Sequence, residues 1–477
     1  MQALLHQILD DAARRWPKQV AIVGDSGELT YEELSDASRR IASGLRDRGV
    51  RRSDRVLVIS PNRPEVIALC FATSRLGAIH VVIDPDVKPF HLDHIIRDAD
   101  PRAVLTDSDF PHLFAANPRP LQAEVAPSDP VSLTYTSGST ALPKAVIATH
   151  ANVLFVVDAI LRRLEYRTDD SVFCCLPLSF DYALYQAFLS ARVGASLLLQ
   201  NTDVAGPALL ATLTRYRPSV VPIVPLLAEQ LIRLVRKRDG RGPDSVRLFT
   251  STGATLTRTH IAGLQGAFPQ AQIAPMFGLT ECKRVSILHP SELSSHAGSV
   301  GRPLEGTQCL IVDPDRHPLP PRTSGELLVR GHHVMAGYWR APELSAARFF
   351  EEPTGVRSLL TGDECWMDDQ GYLYFVGRHD DIFKNRGYRM STIEIEAAAL
   401  SIEGVESATV VAPTADTPFT IVAITRHSSD AVLAELARRL PRAKVPDVCL
   451  VVNQLPTGIN WKLDRASLQR IIETNRS

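Results

Sequence analysis

The densest run of reactive side chains in the 477-residue sequence is Leu133 to Lys144, LTYTSGSTALPK. A strand-like segment enters a turn carrying the hydroxyls of Thr136, Ser137, Ser139 and Thr140 around Gly138, and Lys144 follows before the next apolar strand. Hydroxyls, an ammonium and the backbone N–H groups that a glycine exposes are donors suited to polyphosphate oxygens. The GxxxxGK[ST] order of a Walker loop is absent. By itself the string also reads as a Ser/Thr turn without a ligand.

Such a turn needs a scaffold, and the flanking sequence supplies one. Apolar runs at Arg55 to Ser60, Ile79 to Ile83 and Ala103 to Thr106 alternate with helical patterns at Pro64 to Leu76 and Phe90 to Asp98, and the theme resumes from Val172 to about Met276. Continuous apolar strands imply a sheet covered on both faces, the mark of βαβ units. Thr30 and Glu33 form a candidate capping box for a helix with the stripe Leu34, Ala37, Ile41 and Leu45. From about Gly298 to Phe375 short strands with Gly and Pro punctuation, including Thr307 to Val312 and Glu326 to Arg330, indicate an antiparallel β portion. After Arg378 the texture changes again: Ser391 and Glu394 suggest a second capping box, and strand candidates at Ser407 to Val411 and Thr420 to Ile424 flank helices. The expected architecture is α/β, with a large N-terminal domain of layered sheets at 1–379 and a small, separately rotating α+β domain at 380–477.

Composition narrows the function classes. Lys plus Arg number 52 against 53 Asp plus Glu, so no global field draws the chain to nucleic acid or an anionic membrane. The most membrane-like stretch, Val66 to Ile83, is interrupted by Ser74, Arg75 and His80, and Met1 to Pro17 reads as an amphipathic helix, not a leader. The seven cysteines, at 70, 174, 175, 282, 309, 365 and 449, show no CxxC pair or metal-ligand spacing, so reduced structural thiols and a cytoplasmic location are expected.

Four further strings give the first one company. They are Met276 to Arg284 (MFGLTECKR), Thr361 to Asp363 (TGD) with Gly371 to Arg378 (GYLYFVGR), Arg378 to Arg389 (RHDDIFKNRGYR) and Leu455 to Arg465 (LPTGINWKLDR). Together and in this order they resemble the motifs of the adenylate-forming superfamily, which includes acyl-CoA synthetases, nonribosomal-peptide adenylation domains and luciferases. The resemblance implies an ATP site in which Thr136, Ser137, Gly138, Ser139, Thr140 and Lys144 hold phosphates, while Thr252, Gly253 and Ala254 lie beside adenine. Phe277 would stack on the purine with Gly278 and Phe375 close by, Thr280 would contact the α-phosphate, and Glu281 would help to hold Mg²⁺, a hard cation that takes carboxylate and phosphate oxygens. Asp363 would accept from the ribose diol with Arg378 in support, Asp380 would be the hinge, and Lys462 the adenylation lysine. Ala141, Ala145 and Trp461 stand where the family has glycine, and alanine resists positive φ.

The activity implied is ATP-dependent activation of a carboxylic acid as acyl-AMP with release of pyrophosphate, followed by transfer to a thiol. Leu176 to Gln186, LPLSFDYALYQ, resembles the segment in which amino-acid-activating members bind the substrate ammonium, with Asp181 in that role. An N-terminal position in a helix after Phe180 is its structural reading. Tyr182, Tyr185, Met276 and Arg284, with Pro222, Thr250, Thr252 and Val285, fall at positions resembling the acid-pocket lining. The two tyrosines would narrow the pocket, and Arg284 would suit a second anionic group. A small amino acid passed to a phosphopantetheinylated carrier protein on a separate chain is the expectation, since the sequence ends twelve residues after Arg465. A CoA ligase for a small acid and a catalytically silent homologue are the alternatives. Neither nucleic acid nor membrane is expected as a partner.

Overall fold

A computed structural model describes residues 4–24, 27–119, 124–136, 142–238, 240–352, 355–378, 382–385, 388–414, 417–458 and 463–474. A nine-stranded sheet has a parallel centre in which Gln272–Phe277, Leu248–Ser251, Val220–Ile223, Ser171–Cys174, Ser196–Leu199 and Val20–Gly24 are successive neighbours. Short antiparallel strands close both edges. A six-stranded sheet sets Ile79–Ile83 between Arg55–Ile59 and Pro130–Thr136, all parallel, and then turns antiparallel at Lys144–Thr149. The third sheet is antiparallel throughout and holds Thr307–Val312, Gly325–Gly331, Arg357–Met367, Phe349–Glu351 and Leu373–Arg378.

Local chemistry sets the element ends. Thr30 Oγ1 accepts from the Glu33 amide at 3.3 Å while Glu33 Oε2 accepts from the Thr30 amide at 2.8 Å, so the capping box starts the helix Tyr31–Asp47, whose Leu34, Ile41 and Leu45 are buried. The helix Pro64–Leu76 begins on a proline and ends at Gly77, which turns left-handed at φ 66°. All but one of its residues are buried, which accounts for its membrane-like sequence; among the described residues no helix is long and apolar enough to cross a membrane. All seven cysteines are buried free thiols.

Two consequences of this topology position the site. Pairing of Pro130–Thr136 with Lys144–Thr149 places Thr136 opposite Lys144, so the two ends of the hydroxyl-rich turn are neighbours. Likewise, Gln272–Phe277 returns antiparallel through Ser286–Ile287, and the turn between them hangs over the carboxyl ends of the parallel strands, where open α/β sheets carry ligands.

Beyond Arg378 the chain builds a hairpin, Ile382–Asn385 with Tyr388–Ser391, and a three-stranded sheet of Val405–Val411, Thr420–Thr425 and Val448–Val451. Met390, Ile395, Phe419, Ile421 and Leu436 share one apolar core there, and Val422, Leu455, Leu468 and Ile472 another. Contacts with the preceding residues include an Arg233–Glu406 ion pair at 3.6 Å and the Thr259 hydroxyl donating to the Leu400 carbonyl at 3.5 Å. The capping box expected at Ser391 and Glu394 does not form. Ser391 precedes the helix Thr392–Leu400, but its hydroxyl donates to the Val376 carbonyl at 2.7 Å, and the Glu394 carboxylate is taken by Lys444 at 2.7 Å.

Candidate active site

One cavity of about 430 Å³ joins most of the residues singled out above. Thr136, Lys144, Gly278, Thr280, Glu281, Asp363 and Arg378 line one part of it; Asp181, Tyr182, Tyr185, Thr252, Gly253, Met276 and Arg284 line another. Phe277 and Phe375 lie beside that lining with ring centroids 5.4 Å apart, and Ala254 is exposed next to Gly253. Ser137, Gly138, Ser139, Thr140, Ala141, Asp380, Trp461 and Lys462 lie outside the described residues. Ala145 occupies an extended strand position opposite Tyr135, where alanine is as acceptable as glycine.

The first part collects cations around two carboxylates. Lys144 Nζ stands 4.4 Å from the centre of the Tyr338 ring, and burial pulls its pKa down, opposed by Glu281. The Tyr338 hydroxyl donates to Glu281 Oε1 at 2.7 Å, and Arg348 Nη1 reaches the same oxygen at 3.5 Å and the Tyr338 hydroxyl at 3.0 Å. Tyr338 gets there because Gly337–Tyr338 pairs with Val146 and Ile147, just past Lys144. Asp363, 1% exposed, faces Arg378 across a strand pair with Nε 3.2 Å from Oδ1. Gly278 is required by space: a Cβ there would lie 1.9 Å from the Lys283 carbonyl oxygen, because the turn folds back on itself.

The second part is a charged collar of two buried cations and a half-buried carboxylate. Asp181 opens the helix Asp181–Val193 as its first residue, with Phe180 as the cap, and its Oδ2 is 2.9 Å from Lys283 Nζ. The Lys283 side chain is 5% exposed; its backbone is left-handed at φ 54°, and Nζ lies 3.4 Å from Thr134 Oγ1. Arg284 is buried too. Its Nη1 donates to Thr252 Oγ1, its guanidinium sits 5.5 Å from the centre of the Tyr182 ring, and its Nε has no hydrogen-bond partner among the described residues. Burial pulls the Arg284 pKa down, and among the described residues no carboxylate forms a salt bridge with it. Tyr182 is fixed by its own hydroxyl, which donates to the Thr250 carbonyl at 2.8 Å. Pro222 and Val285 are buried outside the lining.

Sequence reasoning missed Lys283, Tyr338, Arg348 and Thr361 as lining or supporting groups. Lys283 had a signal in its place beside Arg284. Tyr338 and Arg348 carry none, because a two-residue strand and the end of the helix Pro342–Arg348 deliver them from about sixty residues further along. The cavity also runs past the two tyrosines, where Val156, Ile160, Leu164 and Leu189 line it. A cation-rich end and a collar of one half-buried carboxylate and two buried cations suit a reaction between a polyphosphate and a charged small acid.

The model of the family described as AMP-binding enzyme matches residues 9–339. Tyrocidine synthase 2 of Brevibacillus parabrevis is 28% identical over 98% of the chain, which spans 14% of that much longer relative. The solved complex of VinN with L-aspartate is 36% identical over 78% of this chain and 98% of that one, with a TM-score of 0.71. The fold extends over both whole chains in the anthranilate CoA ligase AuaEII in complex with anthranoyl-AMP, at 22% identity and a TM-score of 0.90.

Proposed function

Because the chain belongs to the AMP-binding enzyme family, we propose that it activates a small amino acid carrying a second carboxylate as its acyl-adenylate and then passes it to a thiol. In the first step a substrate carboxylate oxygen attacks the α-phosphorus of ATP, the bond to the bridging oxygen breaks, and pyrophosphate leaves. In the second, a thiolate attacks the acyl carbon and AMP departs. The observation that carries the reading is the collar: a half-buried carboxylate, Asp181, in a cavity with a buried guanidinium, Arg284, that forms no salt bridge with a carboxylate among the described residues. A substrate carboxylate would pair with Arg284, and a substrate ammonium would share Asp181 with Lys283, since a buried charge is tolerable only when paired. The aspartate held by VinN has both groups.

In this reading Lys144, Arg348 and Arg378 lower the repulsion met by a carboxylate approaching phosphate, and Lys462 arrives with residues 380–477 as that unit rotates. Asp363 takes the ribose hydroxyls and Phe277 the purine face. Glu281 fits a magnesium ion: both of its hydrogen-bonded neighbours, Tyr338 and Arg348, fall on Oε1, and Oε2 would serve as a ligand to the cation. Bound there, the ion would polarise phosphate oxygens. The synthase relatives favour a phosphopantetheine-bearing carrier protein as acceptor over free CoA.

Pyrophosphate exchange across acidic, neutral and β-amino acids, aromatic acids and fatty acids tests the proposal. Exchange should be fastest with acidic amino acids and fall when Asp181→Ala removes the ammonium partner. Exchange confined to acids without an amine would transfer the reading to a CoA ligase, and none with any acid would indicate a silent homologue.

A further inference from the structure

Lys144 and Glu281 line the same cavity with opposite charges, and each must stay open to a ligand if the one is to meet phosphate and the other a cation. An ammonium and a carboxylate that share a pocket shielded from bulk water attract strongly, and a direct pair would occupy both. That pair does not form: among the described residues Lys144 makes no salt bridge. One side chain stands with both of them instead. Tyr338, 3% exposed, turns its ring to the Lys144 ammonium, with Nζ 4.4 Å from the ring centre, and donates its hydroxyl to Glu281 Oε1 at 2.7 Å.

Sheet geometry delivers the ring. Tyr338 pairs with Val146, and Lys144 lies two positions before Val146 on the same face of its strand, a diagonal neighbour within reach of an aromatic side chain. The helix Pro342–Arg348 then fixes the tyrosine at both ends. Ser345 Oγ accepts from the Tyr338 amide at 2.9 Å, and Arg348, one turn on, donates to the Tyr338 hydroxyl at 3.0 Å. Because a guanidinium can only donate, the single phenolic proton is committed to Glu281. Arg348 is anchored in turn to the strand that carries Asp363, where its Nε donates to the Leu360 carbonyl at 3.0 Å and its Nη2 to the Thr361 carbonyl. Phe349 closes the arrangement, its ring nearly perpendicular to that of Tyr338 with centroids 5.3 Å apart. Phenylalanine would fill the same space, but it could not hold the carboxylate.

We infer that Tyr338 is a positioning residue that keeps the ammonium and the carboxylate apart, so that Lys144 is held for phosphate and Glu281 for a divalent cation. The inference rests on the phosphate and magnesium assignments proposed above and adds the side chain that makes the two compatible. Removing the hydroxyl releases only the carboxylate. Removing the ring as well lets the ammonium fall onto it.

Calorimetric titration of the enzyme with ATP, with and without Mg²⁺, separates these two functions. In Tyr338→Phe, metal-free ATP should bind within about threefold of the unaltered enzyme, while the Mg²⁺ concentration that half-saturates the ATP complex rises by about 10- to 100-fold, the usual cost of taking a hydrogen-bond partner from a metal-binding carboxylate. In Tyr338→Leu, metal-free ATP should itself bind about tenfold more weakly, because Lys144 then pairs with Glu281. Lys144→Ala alone should cost about the same tenfold, and combining it with Tyr338→Leu should cost nothing further. Additive losses in that combination would overturn the inference. So would a Tyr338→Phe variant whose Mg²⁺ dependence is unchanged, or one that loses ATP equally with and without the metal, as damaged packing would require. The phenylalanine variant keeps the fold's apolar contacts and decides the matter if the leucine variant unfolds. If Mg²⁺ does not tighten ATP binding by the unaltered enzyme, the magnesium assignment fails and takes this inference with it.

Discussion

Arg284→Met should stabilise the free protein and weaken the enzyme, an opposition that follows from how the guanidinium is held. The substitution removes a cation–π contact to Tyr182 at 5.5 Å, worth about 1–2 kcal/mol, and the hydrogen bond to Thr252. Against this it removes an unpaired buried Nε, a cost of about 1–3 kcal/mol, and a buried charge in salt-bridge contact with no carboxylate among the described residues and offset only at longer range by Asp181, which costs several kcal/mol more. Methionine fills similar volume without strain, so the balance favours the variant by about 1–4 kcal/mol, as when buried ionic groups are replaced by apolar ones. At about 2 °C per kcal/mol, thermal unfolding without ligands should shift upward by about 2–8 °C. The same change deprives the second carboxylate of its partner. A lost charged hydrogen bond of about 1.5–3 kcal/mol lowers kcat/KM for aspartate by about 10- to 150-fold in pyrophosphate exchange. Alanine, which lacks that carboxylate, should change by less than about threefold. A variant that unfolds several degrees earlier than the parent, or that loses aspartate and alanine activity equally, would refute the view of Arg284 as a charge waiting for its counterion.

Three histidines around the first helix carry a pH prediction. Burial lowers His6 to about 4, His80 to about 3 and His150 to about 4, so folding favours their neutral forms, and their stabilisation is complete above about pH 6.5 and lost as pH falls toward 4, by about 1.4 kcal/mol per unit for each group. Urea midpoints measured at pH 7 and 5 should therefore drop sharply, and equal midpoints would count against it. Gly278→Ala forces a Cβ to within 1.9 Å of the Lys283 carbonyl oxygen, so it should displace both collar cations and cut exchange by about 100-fold or more, whereas Gly266→Ala, with open space at its Cβ, should be silent. Trypsin should cut the free protein first between residues 380 and 389 and more slowly with ATP and substrate, if 380–477 rotates as a unit; indiscriminate cutting would argue against a hinge. Lys462→Ala should suppress adenylate formation strongly and leave thiol transfer from supplied acyl-AMP nearly intact, while equal loss in both half-reactions would falsify the two-state assignment.

What the sequence disclosed about this protein depended on how far apart the cooperating residues lie. Thr30 and Glu33 could be paired by eye because a capping box closes within one turn, and the helix they start has the expected stripe. The same reasoning failed at Ser391 and Glu394, where the hydroxyl and the carboxylate each found a tertiary partner, Val376 and Lys444. Local pattern proposes such a motif, and the competition for hydrogen bonds in the folded chain decides it.

The cavity shows the same limit more sharply. Asp181 and Glu281 were visible through motifs, but what gives each its character is a neighbour far away in sequence. Lys283 reaches Asp181 across 102 positions, and Tyr338 reaches Glu281 across 57 because a two-residue strand joins the edge of another sheet. The apolar end of the cavity was invisible for a different reason. Val156, Ile160 and Leu164 have the spacing of any helix face that packs on a core, and burial of 1–5% exposure is what a core also gives. Only the folded chain, which brings Leu189 of the helix Asp181–Val193 to line the same cavity, distinguishes a cavity wall from a packing face.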